Sequence, residues 1–207
     1  MADVTQAPFT LLAHATLTNA DTLAGLSFVG TEVDVRTFLS ANVYVYHAPI
    51  EAIATDPGIN YILQGRWDTG ANENEHWADL WTFTSGTTLP VIANIGGTEA
   101  AGEKTIAVDD DVTASYTEND IIYAVDGTQA DSEWCRVGHI STTIISIVDG
   151  LKNAKADTDF FFNQAEIFVG HVDLSGLSYV RMIVQGIDVS GSNVDYKAEM
   201  IAFTDFT

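Results

Sequence analysis

The 207-residue chain has a single cysteine, Cys135, so no intramolecular disulfide can form. A small module stapled by cross-links is thereby excluded. Basic residues are nearly as scarce: eight Lys and Arg stand against 29 Asp and Glu, a formal net charge of −21. Binding a phosphate backbone requires cations that displace its counterions, and eight scattered ones do not build a basic surface. Nucleic acid and anionic membrane are therefore not predicted partners. No apolar run approaches the roughly 20 residues that span a bilayer. The opening residues, MADVTQAPFTLL, have neither the basic start nor the long apolar stretch of a secretory signal. These absences predict a soluble protein that is stable without cross-links.

Hydrophobic residues make up 46% of the chain, enough for a real core, and much of this content alternates. In ANVYVYH (41–47), Val43 and Val45 fall on one face and Tyr44 and Tyr46 on the other. ADLWTFT (78–84) sets Leu80, Thr82 and Thr84 against Asp79, Trp81 and Phe83. This period of two predicts strands, as does the β-branched and aromatic content of INYILQGRW (59–67). Shorter β runs follow at 104–109, 120–127, 133–141 and 143–151, bounded by Gly, Asp, Asn or Ser. Longer ones return at 165–172, 178–185 and 194–203, the last two predicted as a hairpin with a loose tip at 186–193. Asp126-Gly127 and Asp149-Gly150 read as turns. Helix is predicted only as a single turn at 50–55, and 73–80 as a loop running into a strand.

The long strands lie before residue 96 and after residue 158, with the short ones between. That arrangement predicts a discontinuous β-sandwich from residues 1–98 and 153–207, with a small β-barrel domain, 99–152, inserted in one connection. Gly96–Gly102 and Lys152–Asp159 are its polar leading and trailing segments. Two successive domains divided near residue 97 are the competing layout. Residues 1–30 are a candidate N-terminal arm, with an ordinary first strand as the alternative.

Reactive constellations are missing. His14, His47, His76, His139 and His171 are evenly scattered, whereas zinc sites draw two ligands from one short stretch. The run Asp109-Asp110-Asp111 lacks the Gly-containing turn of a calcium loop and is read as a solvated turn. The oxygen-rich stretch Asn72–Glu75 is read the same way. Cys135 and His139 would share a strand face about 13 Å apart, too far for a thiolate–imidazole pair, so Cys135 is predicted as a buried small apolar residue. No serine sits in a strand-to-helix elbow, and there is no phosphate-binding Gly loop or dinucleotide fingerprint. The sequence therefore predicts no catalytic, cofactor-binding or metal-ligating residue, and no enzyme. Trp67, Trp77, Trp81 and Trp134, with Tyr44, Tyr46 and Tyr61, are predicted core or subunit contact, with a sugar-stacking platform as the alternative.

The C-terminal string AEIFVGHVDLSGLSYVRMIVQGIDVSGSNVDYKAEMIAF, with its Asp173-Leu174-Ser175-Gly176 turn, resembles the ending of capsid decoration proteins of tailed phages. ANVYVYHAPIEAIATDPGINYILQGRW and HWADLWTFTSG fit the same pattern, and residues 103–154 resemble a small β-module common in virion proteins. The resemblance spans residues 30–203. It implies an all-β, jelly-roll-like sandwich on the outer surface of a virion, partnered with the major capsid protein and with itself, as a trimer. It transfers no active-site residue. Solubility in a salty medium accounts for the acidity, and so does a surface facing outward from a DNA-filled shell. A tail, neck or fibre-associated virion protein and a carbohydrate-binding sandwich are the alternative functions.

Overall fold

The computed structural model describes residues 5–18, 27–50, 58–67, 76–86, 88, 90–186 and 193–204. Its strands are, in chain order, β1 (Gln6–Leu17), β2 (Ser27–Val29), β3 (Val33–Asp34), β4 (Ser40–Pro49), β5 (Ile59–Arg66), β6 (Ala78–Thr84) and β7 (Ile92–Asn94). There follow β8 (Thr105–Ala107), β9 (Ile121–Val125), β10 (Glu133–Ser141), β11 (Ile144–Ile147), β12 (Phe160–Asp173), β13 (Tyr179–Gly186) and β14 (Val194–Phe203). One 3-10 turn, Gln129–Asp131, is the only helical element among the described residues. The chain is all-β, as its alternation predicts.

Two antiparallel sheets form a jelly-roll-like β-sandwich. The larger runs β1-β14-β4-β12-β9-β10-β11-β8, with β7 also on β12; the smaller runs β2-β13-β5-β6, with β3 also on β13. Alternation explains the layering. Val43, Val45, Leu63, Val180, Met182, Val184, Ala198 and Met200 all point inward and lose all solvent contact. Each fully buried aliphatic side chain of this size contributes about 1.5–3 kcal/mol. Trp81 enters this core from β6 and lies on Gly170 of β12, where a Cβ would stand 2.7 Å from the indole ring. The strict alternation predicted for β6 breaks at Leu80. Leu63 faces Trp81 and Gln64 faces Asp79, so Leu80 is bulged and joins Trp81 against the core.

Several expectations meet a different outcome. The strands at 178–185 and 194–203 are not a hairpin: β13 pairs with β2, β3 and β5 in one sheet, β14 with β1 and β4 in the other. Alternation reveals which residues face the core, and strands on opposite sides of one core carry the same pattern. Residues 6–17 take the first-strand alternative, pairing with β14 as an edge strand. Pro8 suits an edge, where its missing N–H breaks no ladder. The expected helical turn at 50–55 falls mostly on 51–57, outside the described residues, as do residues 187–192 of the loose tip.

A second core gathers Ile106, Ile122, Val137 and Ile145 with Ala93, Ile95 and Phe161, the last three from outside 99–152. The expected small barrel is not closed by ladders. Its sheet is continuous with the large one through β12, and β7 meets β8 only through the single bridge Ile95–Val108. The leading and trailing segments meet, Glu99 and Lys155 exchanging backbone hydrogen bonds of 2.8 and 2.9 Å. β12 serves both cores. Residues 166–173 pair with β4 and 160–165 with β9, and between them the register shifts at Gln164, whose φ is +63°. A bulge there bends the strand from one core to the other.

Candidate functional site

The outer face of the large sheet is built from the residues between the inward-pointing ones. Pairing aligns them in rows across four strands. Thr10, Glu199, Tyr44 and Val169 form one row; Pro8, Ile201, Asn42 and His171 form the next; Lys197, Tyr46 and Ile167 form the third. Val169 of β12 is 57% exposed, the one exposed large apolar side chain of this face among the described residues. Beside it an open groove of about 440 Å³ is lined by Pro8, Thr10, Tyr44, Tyr46, Glu199 and Ile201, with Phe9 and Met200 beneath. Polar groups rim the face: Lys197 Nζ lies 3.1 Å from Glu199 Oε1 and 4.2 Å over the Tyr46 ring, and His171 Nδ1 sits 3.0 Å from Asn42 Oδ1. Burial, with the nearby Glu199 charge, raises the Tyr46 hydroxyl above its ordinary pKa. The face is mixed: exposed Val169 and half-buried Tyr44, Tyr46 and Ile201 stand among Thr10, Glu199, Lys197, Asn42 and His171.

A buried polar cluster ties β9 and β10 to β14 and β1. Tyr123 of β9 donates its hydroxyl to Asp195 of β14 and lies 2.9 Å from His14 Nε2. Thr16 and Gln129 also donate to Asp195, the latter at 3.0 Å. Trp134 stacks on Tyr123, His14 and Tyr46 with centroids at 4.5, 5.2 and 5.4 Å, and its indole donates to the His47 carbonyl at 3.0 Å. Burial pushes the Asp195 carboxyl up, but the hydrogen bonds from His14, Thr16, Tyr123 and Gln129 outweigh it and hold the group below its ordinary value. Burial and the Asp195 charge raise Tyr123 far above the ordinary phenol range. A carboxylate, an imidazole and a phenol thus meet, but Tyr123 is wholly buried and Asp195 nearly so. The cluster clamps two parts of the sheet together, with the His14 side chain 19% exposed at its edge.

The other sequence candidates disperse. Tyr61 is buried in the sandwich, its hydroxyl 2.9 Å from His47 Nδ1; burial drives the His47 pKa down to about 3. Trp81 is in the core with Phe83 and Phe168. Trp77 lies under Arg66 and Arg181, and Trp67 is half exposed. Only Tyr44 and Tyr46 line the groove, with Trp134 packed against Tyr46, so the seven aromatics form no single platform. His139 pairs with Glu118 at 2.7 Å on the surface. Cys135 is buried in the second core, its thiol pushed up to about 12. Asp109–Asp111 is exposed, and Asp111 caps its own turn by accepting from Thr113. Residues 72–75 lie outside the described residues. Among the described residues no three His, Cys, Asp or Glu side chains gather around a metal-sized space. Sequence reasoning missed the Tyr123–Asp195 pair, whose members are 72 positions apart with nothing local to link them.

No protein-family model and no curated protein matches the chain. Among solved structures it is similar to the SPBc2 prophage-derived protein YomS, with a TM-score of 0.35, 10% identity, and coverage of 98% of this chain and 96% of that one. VP17, a capsid protein of bacteriophage P23-77, gives 0.22 and 7%, covering 99% of each chain. The structure of infectious bursal disease virus Gx strain gives 0.28 and 9%, and the match spans 97% of this chain but 42% of that one. Similarity of this degree decides neither fold nor function.

Proposed function

We propose that this protein is a virion structural protein that binds the outer surface of a capsid as a head decoration protein, and that it has no enzymatic role. The outer face of the four long strands carries this reading: the exposed Val169 beside the half-buried Tyr44 and the groove, among paired polar side chains. A net charge of −21 disfavours nucleic acid and anionic membrane as partners. The phenol and carboxylate that do converge, Tyr123 and Asp195, are buried. The resemblance of the C-terminal strands to decoration proteins points the same way. Binding energy alone is the mechanism. A protein that docks across capsomer boundaries stabilises the assembled shell by linkage, and lattice repetition multiplies modest contacts. The major capsid protein is the partner, and a trimer is the form that suits three-fold sites. Residues 99–152 act as an inserted domain in this reading, supported by the Glu99–Lys155 pairing that brings its ends together.

Co-sedimentation with capsids stripped of auxiliary proteins tests the proposal. Saturable binding in many copies per particle, with restored resistance of the shell to heat, is the expected result. Absence of binding would sink it, and a few copies at one vertex would place the protein in the neck or tail instead. Light scattering of the free protein measures the trimer.

A further inference from the structure

The chain has eight Lys and Arg, and three of them line up on the outer face of the smaller sheet. Tyr179 and Arg66 are paired positions on β13 and β5, and Arg181 faces Gln64 in the next row. Arg36, just past β3, completes the set. Guanidinium groups and rings alternate: Arg36 lies 5.6 Å over Tyr179, Arg66 lies 4.6 Å from Tyr179 and 5.1 Å from Trp77, and Arg181 lies 4.0 Å from Trp77. Stacking holds the cations in place. The side chains of Arg66 and Arg181 are 20% and 19% exposed, and Arg181 Nε also donates to Gln64 at 3.0 Å. Such pre-ordered forks suit carboxylates.

Two further observations point to a ligand. The indole N–H of Trp77, between the two arginines, is shielded from solvent and has no hydrogen-bond partner; it is the one such side-chain atom among the described residues. An unmade hydrogen bond of this kind costs about 1–3 kcal/mol, which an acceptor would recover if the side chains over the indole shifted to admit it. The face also displays the chemistry that fits. Glu32 and Asp34, two residues apart on an extended segment, both turn toward the ladder: Asp34 pairs with Arg36, and Glu32 lies between Arg66 and Arg181. Glu32 approaches only to 3.8 and 3.9 Å, beyond hydrogen-bonding range. Asp79, a further carboxylate of this face among the described residues, is engaged by Gln64 at 2.8 Å.

We infer that this face is a binding site for an extended acidic peptide segment of a partner protein, one of whose carboxylates takes the place of Glu32 between Arg66 and Arg181. Alternating acids on an extended strand match the row of guanidiniums, as Glu32 and Asp34 already do. A sugar acid offers a single carboxylate and no such repeat. This site lies on the opposite side of the sandwich from the capsid-docking face, and the inference does not depend on that docking.

Titration of the full chain, labelled at its tryptophan indoles, with hexaglutamate and with hexaglutamine tests it by NMR. The Trp77 signal, identified by its loss in Trp77→Phe, should move with hexaglutamate only, and the affinity should fall with added salt. Arg181→Lys keeps the charge but loses the fork, and should weaken binding about tenfold. Glu32→Gln removes the internal competitor and should strengthen binding about threefold, a gain that a purely structural role for the ladder would not produce. An unmoved Trp77 signal, an equal response to hexaglutamine, or weaker binding in Glu32→Gln would overturn the inference. So would tighter binding of N-acetylneuraminic acid than of the peptide, which would make the site one for acidic glycans.

Discussion

The sandwich core is enclosed mainly by strands of 7 to 14 residues, whereas the second core relies on β7, β8, β9 and β11, of 3 to 5 residues, with only β10 and the shared β12 longer. Long strands satisfy their backbone in ladders and leave side chains free to be apolar. Short strands leave more of the chain in loops, and buried polar side chains secure it. Lys155 is wholly buried, donates to the Asp131 carbonyl at 2.6 Å and lies 3.5 Å from Glu133. Glu133 accepts from the backbone of Lys152 and Asn153. Asn163 donates to Ser115 and accepts from Val91, both at 2.6 Å, and the Tyr116 hydroxyl donates to the carbonyls of Val91 and Phe161. A small β unit with few long ladders is thus held by polar anchors, and a sandwich by its apolar faces.

Removing an anchor should therefore have the largest effect. Lys155→Met leaves Glu133 buried without its cation and should cost about 3–5 kcal/mol in urea unfolding. If the loss is below about 1 kcal/mol, the anchors are incidental and the second core holds by apolar burial alone.

Acid should have the next largest effect, through a group in the sandwich. The one wholly buried histidine, His47, is in the sandwich, and its pKa falls from 6.5 to about 3 on folding. Between those values the unfolded chain binds the proton and the folded chain does not, so stability falls as the pH falls through that window. The loss at pH 5 should be about 2 kcal/mol relative to pH 7. His47→Gln should flatten that part of the urea-midpoint profile while Asp195, held low by its hydrogen bonds, keeps a further loss below about pH 4.

The strand shared by both cores offers a smaller effect. Gln164 holds a left-handed φ in the β12 bulge, which a β-branched side chain tolerates poorly. Gln164→Val should cost about 1–2 kcal/mol by thermal or urea unfolding. Because β12 and the Tyr123–Asp195 clamp join the cores, they should unfold together. Cys135, buried in the second core, reports this: its reaction with a thiol reagent should be slow in native protein and share the urea midpoint of the sandwich tryptophans. An earlier thiol transition would show the two regions to be independent.

The same contrast explains what the sequence reveals. Val43 and Val45 against Tyr44 and Tyr46 disclose both a strand and its outward face, because a long ladder keeps strict alternation. Phe160–Phe162 breaks alternation, and the strand legible in the sequence starts only at residue 165, so the first part of β12 is hidden. Partner choice is equally hidden: β13 and β14 carry matching patterns and sit in different sheets. The groove combines residues of β1, β4 and β14, and the arginine ladder unites positions 36, 66 and 181, so neither has a local signature. Tyr44 and Tyr46 on an outward face are the part of the site that sequence alone displays.

The outer face around Val169 and Tyr44 carries the account, and its most direct test is a binding isotherm on stripped capsids for the wild-type chain and for Tyr44→Glu/Val169→Glu. Both residues lie on the outer face, so the variant should fold with an unchanged urea midpoint. The account expects its affinity for the shell to drop at least about 100-fold, the scale of losing a central apolar contact. Equal binding by the two proteins would show that the large sheet's outer face is not where this protein attaches.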